Sequence, residues 1–161
     1  MRLVVTLLLA LLVQTMAVQA AVAQTIETTA DLAATASLSA ARGKVLILYV
    51  SRPSCPYCAQ LEKDVLQPLL KDPALMAKIT LRELSWTSRI VTGFDEQQHT
   101  AAEVITAFGI AGTPTLLLLD GKGHEITERM VGYPSADFYW YYLEEAIKKA
   151  HATLVNLQTA R

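Results

Sequence analysis

The pattern of apolar and polar positions divides the chain into alternating extended and helical pieces. Residues 44–50, KVLILYV, are β-rich and apolar on both alternating faces, which predicts a strand buried from two sides. Residues 56–70 change to helical spacing. Leu61, Val65, Leu66, Leu69 and Leu70 share one face there, and Glu62, Lys63 and Asp64 are expected to face water. Pro68 should kink or end that helix. A short helix is expected over residues 72–78, opened by Asp72-Pro73, and a second strand over 79–86.

Residues 87–99 are polar and aperiodic, which predicts a long surface loop. Thr100 and Glu103 have capping-box spacing and open a helix ending near Phe108, with Gly109 as its stop. Strands are expected over 115–119 and 125–131, joined through the turn signal Asp120-Gly121-Lys122-Gly123. Ser135 introduces a last helix to about Asn156, whose buried stripe is Tyr139, Leu143, Ile147, Ala150 and Leu154. Phe138 and Trp140 in its aromatic run are expected to remain exposed. The order β, α, β, α, β-hairpin, α implies a mixed α/β sheet with helices on both faces.

The apolar run at residues 3–13 changes the picture upstream. It follows Arg2 and precedes Ala21-Val22-Ala23, the three parts of a secretory signal peptide over residues 1–23. Gln14, Thr15 and Gln19 interrupt the run before it reaches the roughly 20 residues of a membrane span, which weighs against a retained anchor. Residues 24–43 then form a leader with a short helix at 31–41 ended by Gly43, residues 44–156 the folded domain, and 157–161 a tail. The 161-residue length suits one such domain.

Composition adds exclusions. Apolar residues make up 52% of the chain, with much of the excess in the leader, and loss of Arg2 takes the net charge from −1 to −2. The Lys and Arg residues are scattered without a basic stripe, so nothing points to nucleic acid or to an anionic membrane surface. No stable membrane anchor is expected after cleavage. Export matters more: periplasmic or secreted localisation places cysteines where disulfides persist.

There are two cysteines, Cys55 and Cys58, in CPYC. Covalent haem needs His after the second cysteine, and Ala59 stands there. A closed zinc site needs four ligands, whereas His99, His124 and His151 fall in separate elements. Copper binding by the two thiols alone stays open. A bridge enclosing two residues is a weak staple, because cross-link stabilisation grows with loop length. Redox reactivity explains the pair better. Cys55 falls at the junction of the first strand and its helix, where free N–H groups and the helix dipole favour an anion. Pro56 suits the first helical turn. Cys55 is therefore expected to be the attacking thiolate and Cys58 the resolving thiol, with Pro56 and Tyr57 tuning the redox potential. Arg52 stands three residues before Cys55 and could add to the thiolate's stabilisation.

With CPYC between a buried strand and a helix, and FGIAGTPTLLLLDGKGHEI at residues 108–126, the chain resembles the thioredoxin-like superfamily. Gly132 matches a glycine after the last strand of thioredoxins. The export signal narrows the resemblance to exported, periplasmic thioredoxin-related proteins of the sulfur-oxidation (SoxW) and disulfide-bond (Dsb) systems. The resemblance implies a thioredoxin-like fold and a thiol–disulfide oxidoreductase. It also implies that Pro114 is a cis-proline facing the cysteines, and that Thr113 and Pro114 bind the extended client segment. The implied partners are client proteins carrying thiols or disulfides and a membrane or soluble redox partner. No metal and no cofactor are implied. The reading leans towards a reductant or exchange protein. The alternative from another class is a Cu(I)-binding metallochaperone or a redox-regulated adaptor on the same scaffold. One departure stands out: thioredoxin-like proteins often bury an acid six residues before the first cysteine, and Tyr49 occupies that place. A phenol is a poor proton acceptor for Cys58 at neutral pH, so Glu62 or water must substitute.

Overall fold

The first strand, β1 (Val45–Ser51), is buried at all seven positions because helices cover both of its faces. Val45, Ile47 and Tyr49 point into one apolar cluster and Leu46, Leu48 and Val50 into another, the period-two alternation of a strand. The structure, a computed structural model, describes residues 25–160, so the expected signal peptide at 1–23 lies outside the described residues. Ahead of β1 comes α1 (Leu32–Ala41), capped by the Asp31 carboxylate, which accepts from the Ala34 N–H at 2.8 Å.

After β1 the chain forms α2 (Pro56–Leu61), a wide π-turn (Glu62–Leu66) and α3 (Gln67–Leu70), and then α4 (Pro73–Met76) and β2 (Ile79–Ser85). β2 runs parallel to β1. Two two-residue strands, β3 (Val91–Thr92) and β4 (Gln98–His99), make a separate ribbon. α5 (Ala101–Ala107) carries the expected capping box of Thr100 and Glu103. β5 (Thr115–Leu119) pairs antiparallel with β1, β6 (Met130–Val131) pairs antiparallel with β5, and α6 (Ala136–Thr159) closes the domain. The sheet order is β2-β1-β5-β6. Helices α2, α3 and α6 pack on one face, and α1 and α5 on the other. The buried stripe of α6 is Tyr139, Leu143, Ile147, Ala150 and Leu154, as the helical spacing predicts.

Three local features differ from the sequence reading. The segment at 87–99, expected to be loop, holds the β3–β4 ribbon. It is tied back by the Thr92 N–H donating to Ala30 O at 2.8 Å, and Val91 is buried. The last strand, expected over 125–131, shrinks to Met130–Val131 with an isolated bridge between Leu119 and Glu125. The chain between them leaves the ladder where the Arg129 guanidinium binds the Glu125 carboxylate and donates to Phe108 O at 2.7 Å.

The third difference concerns Pro68. Helical backbone runs on two residues past Pro68, to Leu70. The turn upstream widens instead, and the Gln67 N–H donates to Glu62 O, five residues back. Pro68 has no N–H for the Asp64 carbonyl, and the Trp140 indole N–H donates to that oxygen at 3.3 Å instead. Trp140 is thereby half-buried, whereas Phe138 is 64% exposed. Glu62 and Asp64 are also drawn partly out of water, accepting the Tyr49 and Tyr133 hydroxyls at 2.8 and 2.9 Å. Of the three charged residues expected to face solvent, Lys63 alone is fully exposed. Among the described residues, no helix is long and apolar enough to cross a membrane.

Candidate active site

β1 delivers the chain to the top of the sheet, and residues 52–54 turn it into α2. Ser54 adopts a left-handed backbone, φ 58°, an unusual conformation for a residue with a side chain. Cys55 follows as the N-cap of α2 with extended backbone, and Pro56 occupies the first helical turn where its missing N–H costs nothing. The Cys58 N–H donates to Cys55 Sγ at 3.2 Å, so the sulfur fills the place that a capping oxygen takes elsewhere. The two cysteines form a disulfide with Cα atoms 5.2 Å apart. Cys55 is 7% and Cys58 3% exposed.

The Thr113–Pro114 peptide bond is cis. The start of β5 stands against the disulfide: the Thr113 hydroxyl donates to Cys55 Sγ at 3.5 Å, and Thr113 O lies 3.7 Å from the same sulfur. Gly132, φ 77°, donates its N–H to Pro114 O at 2.8 Å and ties the end of β6 to this turn. The structure therefore gathers Cys55, Cys58, Thr113 and Pro114 at one end of the sheet. Pro56 is exposed, and Tyr57, 59% exposed, projects from the first turn of α2 into solvent beside the disulfide. Arg52 is exposed and lines two open hollows flanking this arrangement. One of about 420 Å³ runs past Cys55, Cys58 and Glu62; the other, about 360 Å³, lies between Trp86 and Thr113.

Such an arrangement favours sulfur anion chemistry at residue 55. A thiolate there would accept the Cys58 N–H and the Thr113 hydroxyl at the positive end of a helix. Residues 32–147 match the family described as the thioredoxin-like domain, 72% of the chain, 116 residues of 161. The chain belongs to the thioredoxin-like family. On that fold it carries the CxxC pair Cys55–Cys58, joined as a disulfide. The chain is also similar to a "Thiol:disulfide interchange protein DsbD" from Tatumella citrea, 30% identical over 123 residues. That match covers 76% of this chain but 19% of the relative, so the chain spans about a fifth of that protein's length. Among solved structures, a thioredoxin from Thermus thermophilus aligns with TM-score 0.56 and 21% identity, covering 79% of this chain and 91% of that one. A structure described as "DsbH Oxidoreductase" aligns with TM-score 0.56 and 16% identity, covering 83% and 92%. At these identities the structures speak for the thioredoxin-like fold.

Below the cysteines, Tyr49 takes the place where the family often has an acid. Its ring is fully buried, and its hydroxyl donates to Glu62 Oε1 at 2.8 Å. Burial, with the Glu62 carboxylate at its hydroxyl, pushes the phenol far above its usual range, so it remains a donor at every physiological pH. Glu62 forms the wall of the same hollow as Cys55 and Cys58. The sequence offered Glu62 as a substitute acid without placing it. Its spacing, four residues after Cys58 on a helix, was the available signal. The histidines lie away from the site: His99 and His124 pair with Asp95 and Asp120, and His151 lies on α6. Among the described residues, no three His, Cys, Asp or Glu side chains gather as a metal site.

Proposed function

We propose that this protein exchanges disulfides with client proteins outside the cytoplasm, acting mainly as a reductant or exchange protein. The observation that carries the reading is the contact of Cys55 Sγ with Thr113, next to the cis-proline, at the N-terminus of α2. The leader at residues 1–23 and the likeness to a disulfide interchange protein support an exported setting.

In the reducing direction both thiols start reduced. A client segment lies extended along Thr113 and Pro114 and presents its disulfide to Cys55. The Cys55 thiolate attacks one client sulfur and forms a mixed disulfide, and the other client sulfur leaves as a thiolate that takes up a proton. Cys58 then loses its proton to Glu62 or to water and attacks Cys55 Sγ. The Cys55–Cys58 disulfide forms and the second client thiolate is released. Two electrons have passed to the client, and a membrane or soluble partner must return them. Pro56 and Tyr57 set the potential of the couple through the first turn of the helix.

The test is reduction of insulin by dithiothreitol. Wild-type protein should accelerate it, and Cys55→Ser should abolish the acceleration. No acceleration together with tight Cu(I) binding by the reduced protein would contradict the reading and favour a metallochaperone.

A further inference from the structure

The departure at residue 49 has a structural counterpart. Tyr49 lies six residues before Cys55 in the central strand, and Glu62 lies four residues after Cys58 at the start of the π-turn. The Tyr49 hydroxyl spans strand and helix to hold Glu62 Oε1 at 2.8 Å. We infer that Tyr49 is a positioning residue that fixes Glu62 as the proton acceptor for Cys58. This rests on the redox reading given above and adds to it the group that drives the second step.

The competing explanation is that a buried phenol needs some partner and Glu62 happens to supply one. The same core argues against it. The Tyr139 hydroxyl, buried in the same apolar cluster, has no hydrogen-bond partner among the described residues. Tyr139 is buried in that cluster without reaching a carboxylate, whereas Tyr49 reaches the one that lines the hollow of the cysteines. Glu62, moreover, is no interior residue: it is half-buried and lines the hollow that contains both cysteines. A flexible glutamate at that rim samples several rotamers, and a bond from a rigid, fully buried ring removes that freedom.

The charged and titratable surroundings are few. Tyr49 is faced by Glu62 from the helix, Glu83 from β2 and Tyr139 from α6, and Glu83 is itself bound by the Ser51 hydroxyl. Glu62 shares its hollow with Arg52, Cys55 and Cys58. The π-turn is held in turn by Tyr133 and Trp140, both bound to Asp64 two residues beyond Glu62. In the step itself, the Cys58 thiol proton passes to Glu62 as Cys58 sulfur attacks Cys55 sulfur. The mixed-disulfide bond breaks, and the client thiolate leaves with its electron pair.

Reaction of reduced protein with one equivalent of 5,5′-dithiobis(2-nitrobenzoate) reads both steps. The first thionitrobenzoate released reports Cys55 attack, and the second reports Cys58 attack. The ratio of second to first rate is measured from pH 5 to 9 in wild type, Tyr49→Phe, Glu62→Gln, the double variant and Glu62→Asp. Glu62→Gln should slow the second release about ten-fold or more at pH 6 and shift its profile towards the ordinary thiol range near 8.5. Tyr49→Phe should shift it the same way, and the double variant should match Glu62→Gln, because both act through one carboxylate. Glu62→Asp keeps an acid but withdraws it from the Tyr49 hydroxyl. It should behave like Glu62→Gln and tests the inference even if Tyr49→Phe fails to fold. A wild-type profile in Glu62→Asp or in folded Tyr49→Phe, or multiplying effects in the double variant, overturns the inference. No release of the first thionitrobenzoate by wild type overturns the redox reading beneath it.

Discussion

The Thr113 hydroxyl donates to Cys55 Sγ at 3.5 Å although 58 residues separate the two in sequence. Cys58 donates to the same sulfur, its backbone N–H 3.2 Å away. Two donors on one sulfur stabilise its anion more than its neutral thiol, and that difference is the physical basis of reactivity at residue 55. Thr113→Val keeps the shape of the side chain and removes one donor. Cys55 should then titrate about one to two pKa units higher, since a hydrogen bond to a charged group contributes about 1.5–3 kcal/mol. Iodoacetamide alkylation of Cys55 followed across pH measures the shift.

The roles of the two cysteines differ in a way that trapping can read. Cys58→Ser leaves the attacking sulfur and removes the resolving one, so mixed disulfides with clients should accumulate. Cys55→Ser should trap none, because Cys58 is 3% exposed and stands behind its partner. Non-reducing gels of cells expressing each variant make the comparison. Equal trapping by both would contradict the assignment.

Helix geometry under the site depends on Trp140. Its indole N–H satisfies the Asp64 carbonyl that Pro68 leaves without a donor. Trp140→Phe keeps an aromatic ring and leaves that carbonyl unpaired, which should destabilise the fold by about 1–3 kcal/mol. Urea denaturation gives the value.

Acid sensitivity has a local source at the β5–β6 hairpin. Burial works against ionisation of Asp120, but the backbone N–H groups of His124 and Lys122, at 2.9 and 2.8 Å, hold its carboxyl below the usual range. A carboxyl depressed in the folded state adds stability that is fully present above its unfolded value near 3.9. That stability is lost as pH falls through the folded value. Asp120→Asn should therefore be less stable than wild type at pH 7, and the gap should narrow below about pH 4. Denaturation midpoints at pH 7 and pH 3 check the sign.

Much of this was readable along the chain. Cys55, Pro56 and Cys58 reveal themselves by spacing and by their place after an apolar strand. The stripe from Tyr139 to Leu154 follows from helical periodicity, and the Thr100–Glu103 cap from side-chain chemistry. Strands of two residues, as in β3, β4 and β6, are too short to show a period, so the ribbon passed for loop and the last strand for a longer one. The π-turn was hidden for another reason. Proline's missing N–H predicts a disturbance in the helix, but where it falls depends on Trp140, 72 residues away. Glu62 read as a solvated charge because its partner, Tyr49, sits in a strand whose inward face looks purely apolar in sequence.

The central claim is that the fold makes an anion of one sulfur. Thiolate absorbance of Cys55, measured in reduced Cys58→Ala protein across pH, tests it most directly. The account predicts a midpoint within roughly 3.5–7.5, well below an ordinary thiol. A midpoint near 8.5 or above, with the protein folded, would contradict it.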